Sequence, residues 1–339
     1  MYHFFALTLL DWFRDNGREL PWRATRNPYA IWLSEIILQQ TRVQQGWEYW
    51  ERFMKRWPTV EQLASATEDE VLREWQGLGY YSRARNLHFA AKQIVELGHF
   101  PNTYETIRTL KGVGDYTAAA IASMAFDIPK AVVDGNVYRV LARHFGICTP
   151  INSTEGKKEF ALLAEQLLPT ASAADYNQAI MDFGAIQCTP QSPRCDNCPL
   201  QESCVALREG RTAELPVKLK TITVQERRLA YIYIRCRSKE EQKERLSGLT
   251  AIRRRNGGDI WQGLWEPVAY DEALSKGAIL ITKDFKHILT HRKLLCDFYY
   301  LETSEQISLP EGYIWIREEE LDRYAFPRMI ELLFGRLPQ

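Results

Sequence analysis

Four cysteine thiols lie within 17 residues of one another, with the spacing Cys188-x6-Cys195-x2-Cys198-x5-Cys204. Four thiolates complete the coordination of one zinc ion or of one iron–sulfur cluster. Zinc modules commonly carry two Cys-x2-Cys pairs, whereas this segment has one such pair and two wider arms, so the spacing leaves both centres open. The odd total of seven cysteines in a chain of 339 residues argues against a disulfide framework and for an intracellular metal site.

A second candidate for chemistry is Glu35, which lies in the segment IWLSEIILQQ (31–40). This segment is apolar nearly all round, which predicts a buried helix. Burial disfavours the charged form of a carboxyl group and raises its pKa, so Glu35 is expected to carry a proton near neutral pH and to act as an acid. The alternative is a structural glutamate that pairs with Arg18 or Arg23.

Asp134 is the third candidate, because it precedes the segment GNVYRV (135–140). An aspartate directly before a helix is most often an N-cap. A carboxylate at a helix start also stays ionised and can face a developing positive charge, so the two roles are compatible.

Two glycines in the segment LKGVGDYTAAA (110–120) predict a sharp turn between two helices. Such a turn points backbone N–H groups outward at the start of the second helix, which makes a site for a phosphate. The alternative is an ordinary helix–helix connection.

These residues must be positioned by helices, because residues 1–205 show helical patterns throughout, with capping signals at Thr67/Glu70 and Asp175/Gln178. Residues 206–228 are polar and aperiodic and predict a linker. Strands are expected at 229–234, 278–282 and 294–301, and a helix at 318–333, so residues 229–339 predict a small α+β domain with a mostly antiparallel sheet.

Composition sets further limits on function. Apolar residues make up 45% and charged residues 25% of the chain, which is typical of a soluble globular protein, and no apolar run is long enough to span a membrane. The N-terminal segment is interpreted as a helix of the mature protein and not as a secretion signal. Because the formal net charge is zero, any nucleic-acid site must be local and built partly from backbone amides.

The candidates occur together and in a fixed order, and in this the chain resembles the helix-hairpin-helix DNA glycosylases that carry an iron–sulfur loop. Within that group it resembles the MutY family of adenine DNA glycosylases. The segments that carry the resemblance are WLSE (32–35), LQQT (38–41), GLGYYSRARNL (77–87), the hairpin, VDGNV (133–137), NQA (177–179) and the cysteine spacing.

The resemblance implies base flipping followed by hydrolysis of the bond between adenine and deoxyribose, with the adenine mispaired with 8-oxoguanine or guanine. It implies that Glu35 protonates adenine, that Asp134 stabilises the oxocarbenium-like sugar, and that Tyr116 and Asn136 flank both. It also implies a [4Fe–4S] cluster on the four cysteines. The remaining implied contacts are the adenine pocket (Arg18, Trp22, Arg23, Leu38), the residues that enter the duplex (Gln40, Thr41, Leu78, Tyr80) and the hairpin on the DNA backbone (Gly112, Val113, Gly114).

Tyr116 bears on the type of reaction. Family members that also cut the DNA strand have a lysine nucleophile just after the hairpin glycines, and here that position is a tyrosine. Without this amine no Schiff base forms at the site, so little or no lyase activity is expected. The tyrosine also argues against an endonuclease III-like specificity for oxidised pyrimidines. A third alternative, a DNA-binding module without catalysis, does not explain a carboxyl group on an apolar helix face.

The C-terminal part resembles the MutT-like (Nudix-like) domain of the same family, which implies recognition of 8-oxoguanine. The segment IWQGLWEP (260–267) matches a loop of that domain, and Leu289-Thr290-His291 stands where the family commonly has Phe-Ser-His. Thr290 and His291 are therefore candidate contacts, and the aromatic residue is missing. No spaced run of glutamates for Mg²⁺ is present, so no pyrophosphatase activity is expected.

The complete prediction is an all-helical glycosylase domain (1–205) with an iron–sulfur loop (188–204), a linker (206–228) and a MutT-like domain (229–339). The expected partner is double-stranded DNA with an adenine mispair. We expect a monomer without a membrane contact, located in the cell interior (the cytoplasm or nucleoid of a bacterium), with a sliding clamp as a candidate partner.

Overall fold

The computed structural model describes residues 2–219, 224–237 and 248–338. Contacts between Cα atoms divide the chain into two units, Met1–Ala64 with Phe89–Lys220, and Ser65–His88 with Thr221–Gln339. Nothing in the sequence predicts that the short segment Ser65–His88 belongs to the second unit. Among the described residues, no helix has the length and apolar character needed to cross a membrane.

Residues up to Arg208 are helical, as predicted. The α-helices are α1 (Tyr2–Asn16), α2 (Pro28–Leu38), α3 (Val43–Arg56), α4 (Val60–Ser65), α5 (Glu68–Glu74), α6 (Ser82–Leu97), α7 (Tyr104–Arg108), α8 (Asp115–Phe126), α9 (Gly135–Phe145), α10 (Thr154–Leu167), α11 (Ala173–Asp182) and α12 (Val205–Arg208). Short 3-10 turns lie at Pro21–Arg23, Thr170–Ser172, Cys195–Asn197 and Gln201–Ser203, and one π-helical turn at Phe183–Gln187.

Helix α2 begins where the sequence provides both a cap and a helix-compatible proline. The Asn27 side chain accepts hydrogen bonds from the amides of Tyr29 (2.9 Å) and Ala30 (3.5 Å), and Pro28 occupies the first helical position, where no N–H is needed. Every residue from Tyr29 to Ile37 is buried, which confirms the predicted buried helix. Helix α8, which packs against α2, is rich in alanine and is also buried from Thr117 to Ser123.

The second unit contains a six-stranded sheet in the order β4-β5-β1-β3-β2-β6. Its strands are β1 (Gln225–Cys236), β2 (Leu249–Arg254), β3 (Trp265–Ala269), β4 (Ile279–Leu289), β5 (Arg292–Thr303) and β6 (Tyr313–Arg317). Strands β1 and β5 run parallel over twelve residue pairs, and all other pairings between described residues are antiparallel, so the sheet is mostly antiparallel as predicted. The predicted fold class, an all-helical part followed by a small α+β part, is confirmed.

Three details differ from the sequence prediction. The helix expected at 318–333 is interrupted, because Pro327 cannot donate to a preceding carbonyl; a 3-10 turn (Glu318–Arg323) precedes it and α13 (Arg328–Phe334) follows it. Asp175 is not an N-cap, since α11 begins two residues earlier at Ala173. Within the predicted linker 206–228, β1 already begins at Gln225, and residues 220–223 lie outside the described residues.

Candidate active site and cysteine loop

Glu35 lies in the middle of α2 and is only 6% exposed. The pKa of its carboxyl group is raised to about 7, with burial as the largest cause and the negative charge of Asp134 as a further one. A hydrogen bond with Tyr116 and the positive charge of Arg23 act in the opposite direction. Glu35 is therefore a carboxyl group that is partly protonated near neutral pH, in a site that also contains a second carboxyl group.

The alternative in which Glu35 pairs with Arg18 or Arg23 does not describe this site. Both arginines donate hydrogen bonds to the fully buried carboxylate of Asp182. The Arg23 guanidinium binds both oxygens of Asp182 at 2.8 Å, and the amide N and Nε of Arg18 each lie 2.9 Å from one of them. The hydrogen-bond partner of Glu35 is Tyr116.

Asp134 is the N-cap of α9, as its position in the sequence predicts. Its Oδ1 accepts hydrogen bonds from the amides of Asn136 and Val137, both at 2.8 Å, and its Oδ2 accepts one from Asn136 Nδ2 at 2.8 Å. Burial raises the pKa of Asp134, while these three donors and the charge of Arg139 lower it. The three donors favour the anion of Asp134, and the charge of Asp134 in turn raises the pKa of Glu35.

Tyr116 lies in the first turn of α8, where it is hydrogen bonded to Glu35 and affected by the charge of Asp134. Burial raises its pKa well above the ordinary value for a phenol, and the charges of Glu35 and Asp134 raise it further. Its hydroxyl remains protonated, and it also lies 3.4 Å from the sulfur of Met181 in α11. The side chain is thus a neutral hydrogen-bond donor and not a nucleophile.

Arg139, one turn into α9, holds Asn136 in place. Its Nη2 donates to Asn136 Oδ1 at 2.8 Å, and its Nε donates to the carbonyl of Cys188 at 2.7 Å. The Asn136 amide nitrogen is thereby directed towards Asp134. A continuous series of hydrogen bonds therefore joins the Asp134 carboxylate to the first cysteine of the loop.

The hairpin has the predicted form, with α7 and α8 joined by a turn at Lys111–Gly114. Gly112 has φ +80°, a conformation that glycine adopts readily and other residues rarely do. A side chain on Gly114 would meet no atom within 4 Å, so the backbone faces open space where α8 begins. This geometry suits a phosphate group at the N-terminus of a helix of twelve residues.

The other predicted contacts in the first unit lie before and after α2. Trp22 is buried, with Trp50 at 5.7 Å and Trp47 at 6.0 Å between ring centroids. Leu38 ends α2 half-buried, and Thr41 lies in the following turn, where its amide donates to the Leu38 carbonyl. Gln40 in this turn is exposed and has φ +58°, a backbone conformation that non-glycine residues rarely adopt.

In the second unit, the structure brings together Tyr80 and Thr290, which are 210 positions apart. Their hydroxyl groups are hydrogen bonded to each other. Tyr80 is 44% exposed and has φ +47°, whereas Leu78 is buried. His291 lies in the turn between β4 and β5, and its carbonyl accepts a hydrogen bond from the amide of Gln225 at 3.1 Å.

The four cysteines of the loop line one cavity together with Arg143, and their thiols form no disulfide. Among the described residues, no three Cys, His, Asp or Glu side chains lie close enough to hold a single metal ion, whereas zinc needs four ligands at about 2.3 Å. An iron–sulfur cluster is larger, and each cysteine binds a different iron of a [4Fe–4S] centre. Four thiols that line one cavity are the donor set that such a cluster requires.

The arginine at the loop adds to this fit. Arg143 Nη1 lies 3.4 Å from the sulfur of Cys188 and 2.8 Å from the carbonyl of Thr189, so a buried guanidinium faces a ligand that binds as a thiolate. Burial raises the pKa of Cys198 to about 11, so metal binding there must displace a proton.

Sequence reasoning missed four residues of this site: Asn177, Asp182, Arg139 and Arg143. Asn177 lies in the segment NQA (177–179). Its Oδ1 accepts a hydrogen bond from the Val132 amide, and its Nδ2 donates to Ser123 Oγ and to the Lys130 carbonyl. The two arginines are four residues apart on α9, and that spacing places them on one helix face. No local pattern identifies Asp182, because its partners are about 160 residues away.

Three segments of the chain match families of known proteins. Residues 33–169 match the HhH-GPD superfamily of base excision DNA repair proteins, and residues 244–335 match the NUDIX domain. Residues 188–204 match the iron–sulfur binding domain of endonuclease III, so the loop is an iron–sulfur site and the predicted [4Fe–4S] cofactor is confirmed.

Similar proteins include an adenine DNA glycosylase of Rattus norvegicus, 46% identical over 62% of this chain. The match covers only 44% of that relative's length. An adenine DNA glycosylase of Buchnera aphidicola (subspecies Schizaphis graminum) is 36% identical, over 68% of this chain and 67% of the relative. The solved structure of a thermostable thymine-DNA glycosylase superposes with a TM-score of 0.58 at 31% identity, over 61% of this chain and 97% of that one. The chain belongs to the HhH-GPD superfamily of base excision DNA repair proteins.

Proposed function

We propose that this protein is an adenine DNA glycosylase, which hydrolyses the N-glycosidic bond of adenine mispaired with 8-oxoguanine or guanine in double-stranded DNA. The observation that carries the proposal is Glu35, a buried carboxyl group with a pKa of about 7 in the same site as the carboxylate of Asp134. The names of the curated relatives, adenine DNA glycosylases, support adenine as the base.

The two carboxyl groups divide the reaction between them. Adenine is a poor leaving group until a ring nitrogen is protonated, and Glu35 supplies that proton. As the bond to the base breaks, positive charge develops on the sugar, and the Asp134 anion stabilises it. The same division between a protonated and an ionised carboxyl group operates in glycoside hydrolysis. Water provides the oxygen that replaces the base on the sugar.

Other residues of the site serve binding. We assign Arg18, Trp22, Arg23 and Leu38 to the pocket that receives the flipped adenine. Gln40, Thr41, Leu78 and Tyr80 enter the duplex, and the strained backbone at two of them supports this role, because such strain concentrates at functional sites. Amides of the hairpin Gly112-Val113-Gly114 bind the DNA backbone, and an iron–sulfur cluster on the four cysteines fastens residues 188–204 to α9.

The primary test is incubation with a duplex that carries adenine opposite 8-oxoguanine, followed by alkali to cleave the strand at the site of base loss. Adenine opposite guanine should react more slowly, and adenine opposite thymine should not react. A duplex with thymine opposite guanine tests the specificity named for the thermostable structural relative. Excision of thymine but not of adenine would contradict the proposal.

Light scattering of the protein with and without DNA tests the further proposal that it acts as a monomer.

The pH dependence of excision follows from the pKa of Glu35. Because the acid must be protonated and its pKa is about 7, the single-turnover rate should be constant from pH 6 downwards towards the pKa of Asp134. Above pH 7 the protonated fraction falls tenfold per pH unit, and the rate should fall with it. Measurement of excision rates from pH 5.5 to 9 checks this, and a rate that rises through pH 8 would exclude Glu35 as the acid.

Strand cleavage is not expected, because Tyr116 takes the place of the nucleophilic lysine. Treatment with borohydride during the reaction should trap no covalent complex between protein and DNA. The strand should remain intact until alkali is added. An efficiently trapped complex would refute this prediction, and the neighbouring Lys111 would then be changed to alanine to identify the amine.

We further propose that the Nudix-like part recognises 8-oxoguanine opposite the adenine, with Thr290 and His291 near that base. The hydrogen bond between Thr290 and Tyr80 supports this, because it links the turn between β4 and β5 to a residue assigned to the duplex. The Thr290→Val variant should lose several-fold of the preference for 8-oxoguanine over guanine without a change in the rate opposite guanine. Thr282→Val, which makes the same change in the preceding strand β4, is the matched control. Equal preferences in both variants would indicate that this part only stabilises the protein.

A further inference from the structure

Asp182 is a fully buried anion at the end of α11 that accepts five hydrogen bonds from two arginines. Its pKa is affected by two opposing effects: burial raises it, and the hydrogen bonds from Arg23 and Arg18 outweigh burial and lower it. A charge is buried at this depth only when it is paired. Asp182 is therefore ionised, and it fixes the positions of both guanidinium groups.

Arg23 has further contacts besides those with Asp182. Its Nη1 also donates to the carbonyl of Arg18 at 3.0 Å, and its guanidinium carbon lies 5.6 Å from the ring centre of Phe13. Its side chain is 13% exposed, against 30% for Arg18. Its charge is therefore less screened by water than that of Arg18, and its position is more narrowly defined.

The positive charge of the Arg23 guanidinium lowers the pKa of Glu35. The charged or titratable groups that affect Glu35 are Tyr116 on α8, Asp134 before α9 and Arg23 in the 3-10 turn before α2. Of these, Arg23 is the cation, and a cation favours the ionised form of a carboxyl group. Two arginines and one aspartate have a net charge of +1. Without the aspartate the net charge would be +2, beside an acid that must remain protonated.

We propose that Asp182 is a positioning residue that holds Arg23 in a fixed place and offsets its charge, so that Glu35 keeps the proton needed for base excision. The proposal rests on the proposed function, because it concerns the acid of that reaction. Asp182 touches neither Glu35 nor, on this proposal, the substrate: it acts through Arg23. A purely structural role for Asp182 would leave the pH at which Glu35 ionises unchanged.

The test is the pH profile of single-turnover excision from the A:8-oxoguanine duplex with the Asp182→Asn variant of the full-length, cluster-loaded protein. The alkaline midpoint of the profile should move down by about one pH unit, because a charge that opposes Arg23 has been removed. In the double variant Asp182→Asn/Arg23→Gln, the net charge returns to +1, and the midpoint should return to near the wild-type value. Asp182→Asn/Arg18→Gln is the matched control and should recover less, because Arg18 is more exposed.

The single variant Arg23→Gln provides a second test if Asp182→Asn does not fold. It removes the cation and should move the midpoint upwards. A profile of unchanged midpoint in Arg23→Gln, or a rate reduced by one factor at every pH in Asp182→Asn, would overturn the inference.

A carbon-13 NMR titration of glutamate carboxyl groups, with the Glu35 signal assigned from the Glu35→Gln spectrum, measures the same midpoints without substrate. It distinguishes a failure of the proposed function from a failure of the inference about Asp182. If the wild-type protein does not excise adenine, the proposed function fails, whereas titration midpoints still report on the charge coupling. If the wild type excises adenine and the Glu35 midpoint does not move in Asp182→Asn, only the inference about Asp182 fails.

Discussion

The Glu35→Gln variant should lose adenine excision by about 10³-fold or more, because an amide cannot donate the proton that makes adenine a leaving group. Glutamine has the same size as glutamate, so the change leaves the packing of α2 intact. The reaction should be followed under single-turnover conditions at pH 6.5, where half or more of the wild-type Glu35 is protonated. Affinity for the mispaired duplex should stay within a few-fold of the wild type in the same buffer.

Glu96→Gln is the matched control, since it makes the same chemical change at an exposed position near the end of α6. It should excise adenine at the wild-type rate. If Glu35→Gln kept a rate within tenfold of the control, protonation by Glu35 would not be the basis of catalysis. If it lost binding in parallel with excision, Glu35 would contribute to the binding site and not to the chemical step.

The same variant has a stability effect of known sign. Glu35 has a pKa of about 7 in the folded protein and about 4.5 when unfolded, so the folded state binds the proton more tightly. The unfolding free energy of the wild type therefore falls as pH rises from 4.5 to 7, and the loss is complete above pH 7, at about 3 kcal/mol. Glutamine does not ionise, so the Glu35→Gln variant does not lose this unfolding free energy as the pH rises. Thermal unfolding should show Glu35→Gln to be more stable relative to the wild type at pH 8 than at pH 5.

Much of the site was predictable because each of these features is determined by residues that are close together in the sequence. The burial of Glu35 follows from the apolar residues around it in one helix, and the cap role of Asp134 follows from the glycine and helix-forming residues that come next. The hairpin turn follows from two glycines. In each case a few neighbouring residues determine the backbone, and the backbone determines where the side chain points.

The remainder depends on contacts between distant parts of the chain. Asp182 meets Arg18 and Arg23 only after α11 has packed near the 3-10 turn, and Tyr80 meets Thr290 only when the second unit has formed. Sequence reasoning instead considered Glu35 as the partner of the arginines. It had no means to distinguish two buried carboxyl groups that compete for the same cations.

The metal centre shows the same limit. Cysteine spacing fixes the number and type of the ligands, but it left zinc and an iron–sulfur cluster open. The two differ in the distances between sulfur atoms, which depend on how the loop folds over α9 through Arg139 and Arg143. The similarity of residues 188–204 to the iron–sulfur binding domain of endonuclease III decides between them.

The Asp134→Asn variant separates the two roles of this residue and should lose excision by about 10³-fold, comparable to the loss of a major electrostatic contribution to a transition state. Asparagine caps a helix as well as aspartate does, so α9 should remain intact and the unfolding free energy should change by about 1 kcal/mol or less. Asp134→Ala, which also removes the cap, should lose about 1 kcal/mol more stability.

Single-turnover excision and chemical unfolding of the two variants, measured side by side, check both effects. Because the charge of Asp134 raises the pKa of Glu35, the alkaline midpoint of the residual activity in Asp134→Asn should also move to lower pH. An active Asp134→Asn enzyme with an inactive, destabilised Asp134→Ala would mean that the residue is needed only as a helix cap. The positive charge on the sugar would then have to be stabilised by another group of the site.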